Sequence, residues 1–179
     1  MNKKPLLMIG SNMRKVNIGF CGVFRSTIRQ KERKYFSKYP LDLKEIVLDG
    51  VVEEGSYLAS KIKILFLLKE PKSPGQGGWS LIDKIRSYEP VPMLDTLARW
   101  TVGIRNLPAD IPWKVIKEIS AYTRICALND VVLFNLKKTP GDGTTNEENL
   151  EHYAIEHSHL IKMQFHFYNC MSSKSIGQN

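Results

Sequence analysis

The sequence has few cysteines, and none of them are closely spaced. Cys21, Cys126 and Cys170 lie far apart, and no Cys-x-x-Cys pair occurs. This pattern is neither a disulfide framework nor a zinc or iron–sulfur signature, so we expect no metal and no cofactor. A reducing compartment is the simplest inference, and we expect a cytoplasmic protein.

Long apolar runs are also missing. The first ten residues, MNKKPLLMIG, carry a basic pair, but their apolar patch is too short and too broken for a signal peptide. No stretch approaches the length that spans a bilayer, so we expect no membrane association. The 179 residues suffice for one domain with its own core. We expect an irregular basic segment over residues 1–22 and a single α/β domain over 23–179.

Acidic residues are scarce at the start of the chain. Residues 1–39 hold ten lysines and arginines against one acid, Glu32, whereas the formal charge of the whole chain is +8. Such a basic arm favours a polyanion, because each neutralised phosphate releases counterions. Four interleaved aromatic residues are candidates for stacking on bases: Phe24, Tyr35, Phe36 and Tyr39. The alternative is a solubilising basic helix whose aromatic side chains face the core.

One apolar run organises the rest of the chain. Ile64–Leu68 is short and rich in Ile, Leu and Phe, which predicts a strand buried on both faces, as in a parallel sheet. It ends in charge at Glu70 and then in a proline- and glycine-rich loop. Because ligands in open α/β sheets bind at the carboxyl ends of strands, Glu70 is a candidate for chemistry. The alternative is a solvated charge at a strand end.

A second buried strand is predicted at Val131–Phe134, and helical patterns separate the two strands. This alternation indicates βαβ units and a parallel sheet. We expect helices over 24–38, 79–87, 93–104, from Asp110 along an apolar stripe to Tyr122, and from a Thr145-x-x-Glu148 capping box to about 164, with a helical turn at 53–58. Asp49-Gly50 indicates a turn and residues 165–171 a short third strand. We expect Trp100 and Trp113 to pack helices together.

Two polar side chains follow the two predicted strands. Parallel strands expose their carboxyl ends at the same edge, which places Glu70 and Asn135 at neighbouring loops of one crevice. A carboxamide offers both a donor and an acceptor to a base edge. A carboxylate can orient or deprotonate a water. The pair therefore predicts a pocket for a polar heterocycle.

These strand ends resemble two motifs of the uracil-DNA glycosylase superfamily, particularly its bacterial uracil-DNA glycosylase-like branch. K-E-P at 69–71 with P-G at 74–75 is similar to the acidic motif G-E-A-P-G or G-Q-D-P-Y, and G-G-W at 77–79 fits the glycine and aromatic that follow it. N-L-K-K-T-P-G at 135–141 is similar to N-V-V-K-C-R-P-P. The resemblance covers roughly residues 39–164. It implies an α/β fold, a three-layer αβα sandwich with a short parallel sheet, incomplete at the C-terminus.

The resemblance also implies roles. Glu70 would position the water that attacks the glycosidic carbon, Asn135 would read a flipped base in DNA, and Trp79 would stack on that base. Phosphate or DNA contacts would come from Gly75, Gly77, Gly78, Lys137 and Lys138. DNA, single- or double-stranded, is the expected partner of a monomeric protein. Trp79 as core filler and the two lysines as solvated charges are the alternatives.

The chain departs from the superfamily in three ways. No His-Pro segment follows the last helix, the four cysteines of the iron–sulfur branch are absent, and Lys69 replaces a glycine. We therefore expect a shortened copy whose activity is open. The alternative functions are a non-catalytic nucleic-acid-binding module and a structural domain whose sheet edge pairs with a partner protein.

Overall fold

A three-stranded mixed sheet lies at the centre of the fold. The computed structural model describes residues 27–73, 77–141 and 144–174, the last six without their side chains. The strands are β1 (Gly50–Val51), β2 (Ile64–Leu68) and β3 (Val131–Asn135), in the order β1-β3-β2. β2 and β3 are parallel, in register from Ile64 opposite Val131 to Leu68 opposite Asn135. Both predicted strands and their parallel pairing are confirmed.

The short strand β1 corrects the expectation of a turn at Asp49-Gly50. β1 pairs antiparallel with β3, Gly50 lying opposite Leu133. Gly50 has φ 129°, a backbone conformation that residues with a side chain rarely adopt, and a Cβ there would overlap the carboxylate of Glu32. The glycine is therefore needed for a close approach within the sheet, and the sheet is not wholly parallel.

Burial differs between the two longer strands. Every residue of β3 is buried, as its central position requires. β2 is an edge strand, and the side chain of Leu67 is 56% exposed. The strand buried on both faces is thus β3, and the prediction that β2 would be so buried is wrong.

Eight helices complete the described part of the chain. They are α1 (Ile28–Phe36), α2 (Glu54–Ala59), α3 (Leu81–Arg86), α4 (Pro92–Arg105), α5 (Trp113–Ile116), α6 (Ala121–Leu128), α7 (Glu147–Glu156) and α8 (Ser158–Lys174). One core cluster joins α3, α4 and α6 to one face of the sheet, through side chains such as Ile85, Leu97 and Leu133. A second joins α1, α2 and α8 to the other face, through Ile28, Tyr57 and Phe134. Helices thus cover both faces, and the α/β class is confirmed.

Several helix predictions need correction. The stripe from Asp110 to Tyr122 is not one helix, because α5 has four residues and α6 begins separately at Ala121. Trp100 and Trp113 are 57% and 61% exposed, so they do not pack the helices together. The start of α7 is capped by Asn146, whose side chain accepts from the Asn149 N–H, rather than by Thr145.

Three further expectations can be compared with the structure. Residues 165–171, expected as a strand, belong to α8. Phe36 and Tyr39 are buried in the core, so the basic helix does not offer these rings to bases, and Phe24 lies outside the described residues. No helix within the described ranges is long and apolar enough to cross a membrane.

Candidate functional site

The chain continues side by side beyond the carboxyl ends of β2 and β3. The N–H of Leu136 donates to the Leu68 carbonyl at 2.9 Å, and the N–H of Lys137 donates to the Lys69 carbonyl at 3.0 Å. Further on, the Gly141 N–H donates to the Pro71 carbonyl at 2.9 Å. These bonds hold the two strand-end segments together, since backbone polar groups away from water must be paired.

A cleft of about 860 Å³ opens at this edge of the sheet. Glu70, Trp79 and Asn135 all line it, so the structure brings these three sequence-predicted residues together. Apolar side chains form much of the wall, among them Leu68, Leu81, Val91 and Met93. Mostly apolar walls with a few convergent polar groups are typical of a small-molecule site.

Glu70 is an almost buried, ion-paired carboxylate rather than a solvated strand-end charge. Its side chain is 5% exposed, and its Oε2 accepts from the Nζ of Lys137 at 2.9 Å. Gly141 lies directly behind it, and a Cβ at that position would overlap the Glu70 carboxylate. The ion pair and the glycine together fix where the carboxylate lies.

Asn135 presents an unused hydrogen-bond donor. Its backbone N–H donates to Oδ2 of Asp49 at 2.6 Å, which fixes the end of β3. Its side-chain Nδ2 is buried and has no hydrogen-bond partner among the described residues. A buried unpaired donor costs about 1–3 kcal/mol. A ligand acceptor bound in the cleft is one partner that would remove this cost.

Trp79 lies between the core and the cleft. The side chain is half-buried and packs against the core cluster of α3, α4 and α6. It also lines the cleft, where it is the aromatic side chain among the described lining residues.

Two of the loop glycines predicted to contact phosphate, Gly77 and Gly78, pack closely against the chain. A Cβ on Gly77 would overlap the backbone of Glu45, and Gly78 has φ 75°. The Gly78 N–H already donates to the Ile46 carbonyl at 2.8 Å, so it is not available to a phosphate. Gly75 lies outside the described residues.

Lys138 is a core residue, which overturns its assignment as a DNA contact. Its side chain is 0% exposed, and its Nζ lies 2.7 Å from Oδ2 of Asp49 and 4.1 Å from the centre of the Phe134 ring. Burial lowers the pKa of Lys138, and the charge of Asp49 opposes that change. Lys137, the other predicted contact, is engaged by Glu70, so neither lysine is a solvated surface charge.

Sequence reasoning missed the buried polar network behind the cleft. The Asp49 carboxylate accepts from Asn135, Lys138 and the Gln164 side chain of α8. Glu32 of α1 accepts from the Val51 N–H at 2.8 Å and from the Tyr168 hydroxyl at 2.9 Å. Desolvation by burial raises the pKa of Glu32 to about 7. Glu32 is the only acid in residues 1–39, and this isolation is the one feature of the sequence that marked it as unusual.

A buried arginine holds the outer wall of the cleft. Arg124 of α6 donates to the carbonyls of Ser87 and Glu89 at 2.6 and 2.7 Å, and to Asp95 of α4 at 3.0 Å. Glu89 itself lines the cleft, so Arg124 positions this wall without entering it. Nothing in the helical pattern around Arg124 indicated a buried charge.

Lysine side chains surround the mouth of the cleft. Lys69, Lys72 and Lys84 all line it. Lys69 pairs with Glu147 at 2.9 Å and Lys84 with Glu89 at 3.3 Å, both on the surface. Exposed ion pairs of this kind contribute little to stability, so another anion can take the place of the glutamate. In the described ranges no cluster of three or more histidine, cysteine, aspartate or glutamate side chains is arranged to hold a metal ion.

The cleft thus combines a held carboxylate, an unused carboxamide donor, an indole ring and a cationic mouth. Comparison of the chain with protein-family models, with curated proteins and with solved structures gives no significant match.

Proposed function

We propose that this protein is a uracil-DNA glycosylase-like enzyme, of the three-layer αβα type, that hydrolyses the N-glycosidic bond of a flipped base in DNA. One observation carries the proposal: Glu70 and the unpartnered Nδ2 of Asn135 line the same cleft. Residues 65 positions apart in the sequence meet there because β2 and β3 are parallel neighbours.

In the proposed reaction, Glu70 orients a water molecule toward the glycosidic carbon. The water oxygen forms a bond to that carbon, its proton passes to Glu70, and the carbon–nitrogen bond breaks. The bonding electron pair leaves with the base. Asn135 donates from Nδ2 to a carbonyl of the base, where negative charge develops, and such aimed donors stabilise a transition state. Trp79 stacks on the ring.

The cationic mouth supports a nucleic-acid substrate. Lys69, Lys72 and Lys84 line the cleft and would be candidates for contact with the phosphates that flank an extruded nucleotide. Extrusion of a base costs a few kcal/mol, and phosphate contacts offset that cost. We therefore expect binding to weaken steeply as salt rises.

Uracil-containing single- and double-stranded oligonucleotides test the proposal through the appearance of abasic sites. Loss of the carboxylate in Glu70→Gln is expected to slow release by about 10²–10⁴-fold, the range for a general base. Asn135→Ala is expected to slow it by about 5–150-fold, since a base-edge contact is worth about 1–3 kcal/mol. Glu151→Gln and Asn149→Ala, both exposed on α7 and away from the cleft, are the matched controls. No release by the unaltered protein on either strand form contradicts the enzymatic proposal.

One observation favours a second function, that of a non-catalytic nucleic-acid-binding module. The Glu70 side chain is almost buried and already accepts from Lys137, which is a suitable arrangement for a structural ion pair. Tight, salt-sensitive binding of the same oligonucleotides without release of base supports this alternative. Binding should then survive Glu70→Gln and weaken when Lys72 is changed to Met.

A further inference from the structure

β2 has an open edge on the side away from β3. In the described part of the chain β2 pairs with β3 alone. The Leu68 carbonyl bonds toward β3, accepting from Leu136. Because ladder bonds alternate along a strand, the N–H and C=O groups of Leu65 and Leu67 point toward the open side. Such unpaired groups form a template for another strand.

Apolar side chains flank this edge on both faces of the sheet. On the α8 face, Leu67 opens into a groove of about 510 Å³ that Ile161 and Phe165 help to line. On the α4 face, Phe66 lies against Trp100 with ring centres 6.3 Å apart. Leu67, Trp100 and Phe165 are all exposed. An added strand would place alternate side chains against these two surfaces.

Basic side chains predominate around the edge. Lys63 and Lys69 bracket β2, and of the described residues that line the groove the polar ones are Lys162 and His166, with no carboxylate. Lys69 has a surface partner in Glu147, which a stronger acidic partner can replace. The edge is therefore complementary to an apolar strand flanked by acidic residues.

We propose that the β2 edge binds, by β-strand addition, an extended apolar peptide segment with carboxylates at its ends. Main-chain hydrogen bonds would supply affinity, and the groove and Trp100 would select the side chains. A second copy of this chain fits less well. Antiparallel pairing of two β2 strands sets Lys63 of one against Lys69 of the other, and like charges directly opposite destabilise a pair.

The probe is a fluorescein-labelled synthetic peptide, Asp-Asp-Val-Phe-Ile-Val-Phe-Asp-Asp, with binding followed by fluorescence anisotropy. Replacing its central Ile by Pro removes a ladder donor and is expected to abolish binding. Leu67→Asp is expected to weaken binding about tenfold or more, the effect of losing one central contact. Leu43→Asp is the matched control, because Leu43 is similarly exposed and does not line the groove.

A charge exchange keeps the test independent of folding defects at Leu67. Lys162→Glu is expected to weaken binding of the acidic peptide and to strengthen binding of a peptide whose four aspartates are replaced by lysines. Amide hydrogen exchange should slow at Leu65 and Leu67 when the acidic peptide is bound. Equal binding of the proline peptide, or no effect of Leu67→Asp, overturns the proposal. A doubling of mass in sedimentation that Leu67→Asp abolishes also overturns it, in favour of a second copy.

Discussion

The buried ion pair between Lys138 and Asp49 gives the sharpest test of the structure. Both side chains are fully buried, and the pair distance is 2.7 Å. Removing one member of such a pair leaves an uncompensated charge in the core and costs about 3–5 kcal/mol. Lys138→Met is expected to lie at the lower end, because Asp49 keeps the donors of Asn135 and Gln164. If Lys138 were instead solvated or in contact with DNA, its replacement would change the free energy of unfolding very little.

The assay is guanidinium unfolding near neutral pH, followed by tryptophan fluorescence. Lys72→Met, which removes an exposed lysine, is the control and is expected to change the free energy of unfolding by less than about 0.5 kcal/mol. The double variant Asp49→Asn, Lys138→Met should lose less than the sum of the single variants, with a coupling of about 1–3 kcal/mol. A loss below about 1 kcal/mol for Lys138→Met, or strict additivity, refutes the assignment of a buried pair.

Three further predictions follow from other buried groups. Burial raises the pKa of Glu32 from 4.5 to about 7, so the stability that this group contributes is fully present below pH 4.5 and is lost as pH rises through 7. The free energy of unfolding should therefore fall by about 3 kcal/mol over this pH range, and Glu32→Gln should abolish the fall. Gly141→Ala should displace the Glu70 carboxylate and cost about 1–3 kcal/mol of stability, with any base release reduced in parallel. Arg124→Met should cost about 3–5 kcal/mol in the same unfolding assay, since its bonds to the cleft wall and to Asp95 are all lost.

The apolar runs made the central elements of the fold predictable. Ile64–Leu68 and Val131–Phe134 are short, unbroken and rich in β-formers, and both are strands in the structure. From their parallel pairing, the shared edge of Glu70 and Asn135 follows by topology. The sequence pattern does not distinguish the central strand from the edge strand, because both read as equally apolar.

Features that depend on distant contacts were not predictable. Asp49-Gly50 has the composition of a turn, yet Gly50 begins β1, which pairs with β3, and Glu32 of α1 fills the space that a side chain at Gly50 would need. Lys137 and Lys138 are adjacent and identical in type, but one faces Glu70 and the other faces Asp49. Such differences arise from tertiary packing, which overrides local propensity.

The carboxylate of Asp49 also links the cleft to the far end of the chain. It accepts from the backbone of Asn135 at the cleft floor and from Gln164 in the middle of α8. Because Gln164 and Asn135 share Asp49, we expect a molecule that fixes Asn135 to restrain α8 as well. Occupancy of the cleft should accordingly slow amide exchange around Gln164, although Gln164 does not line the cleft.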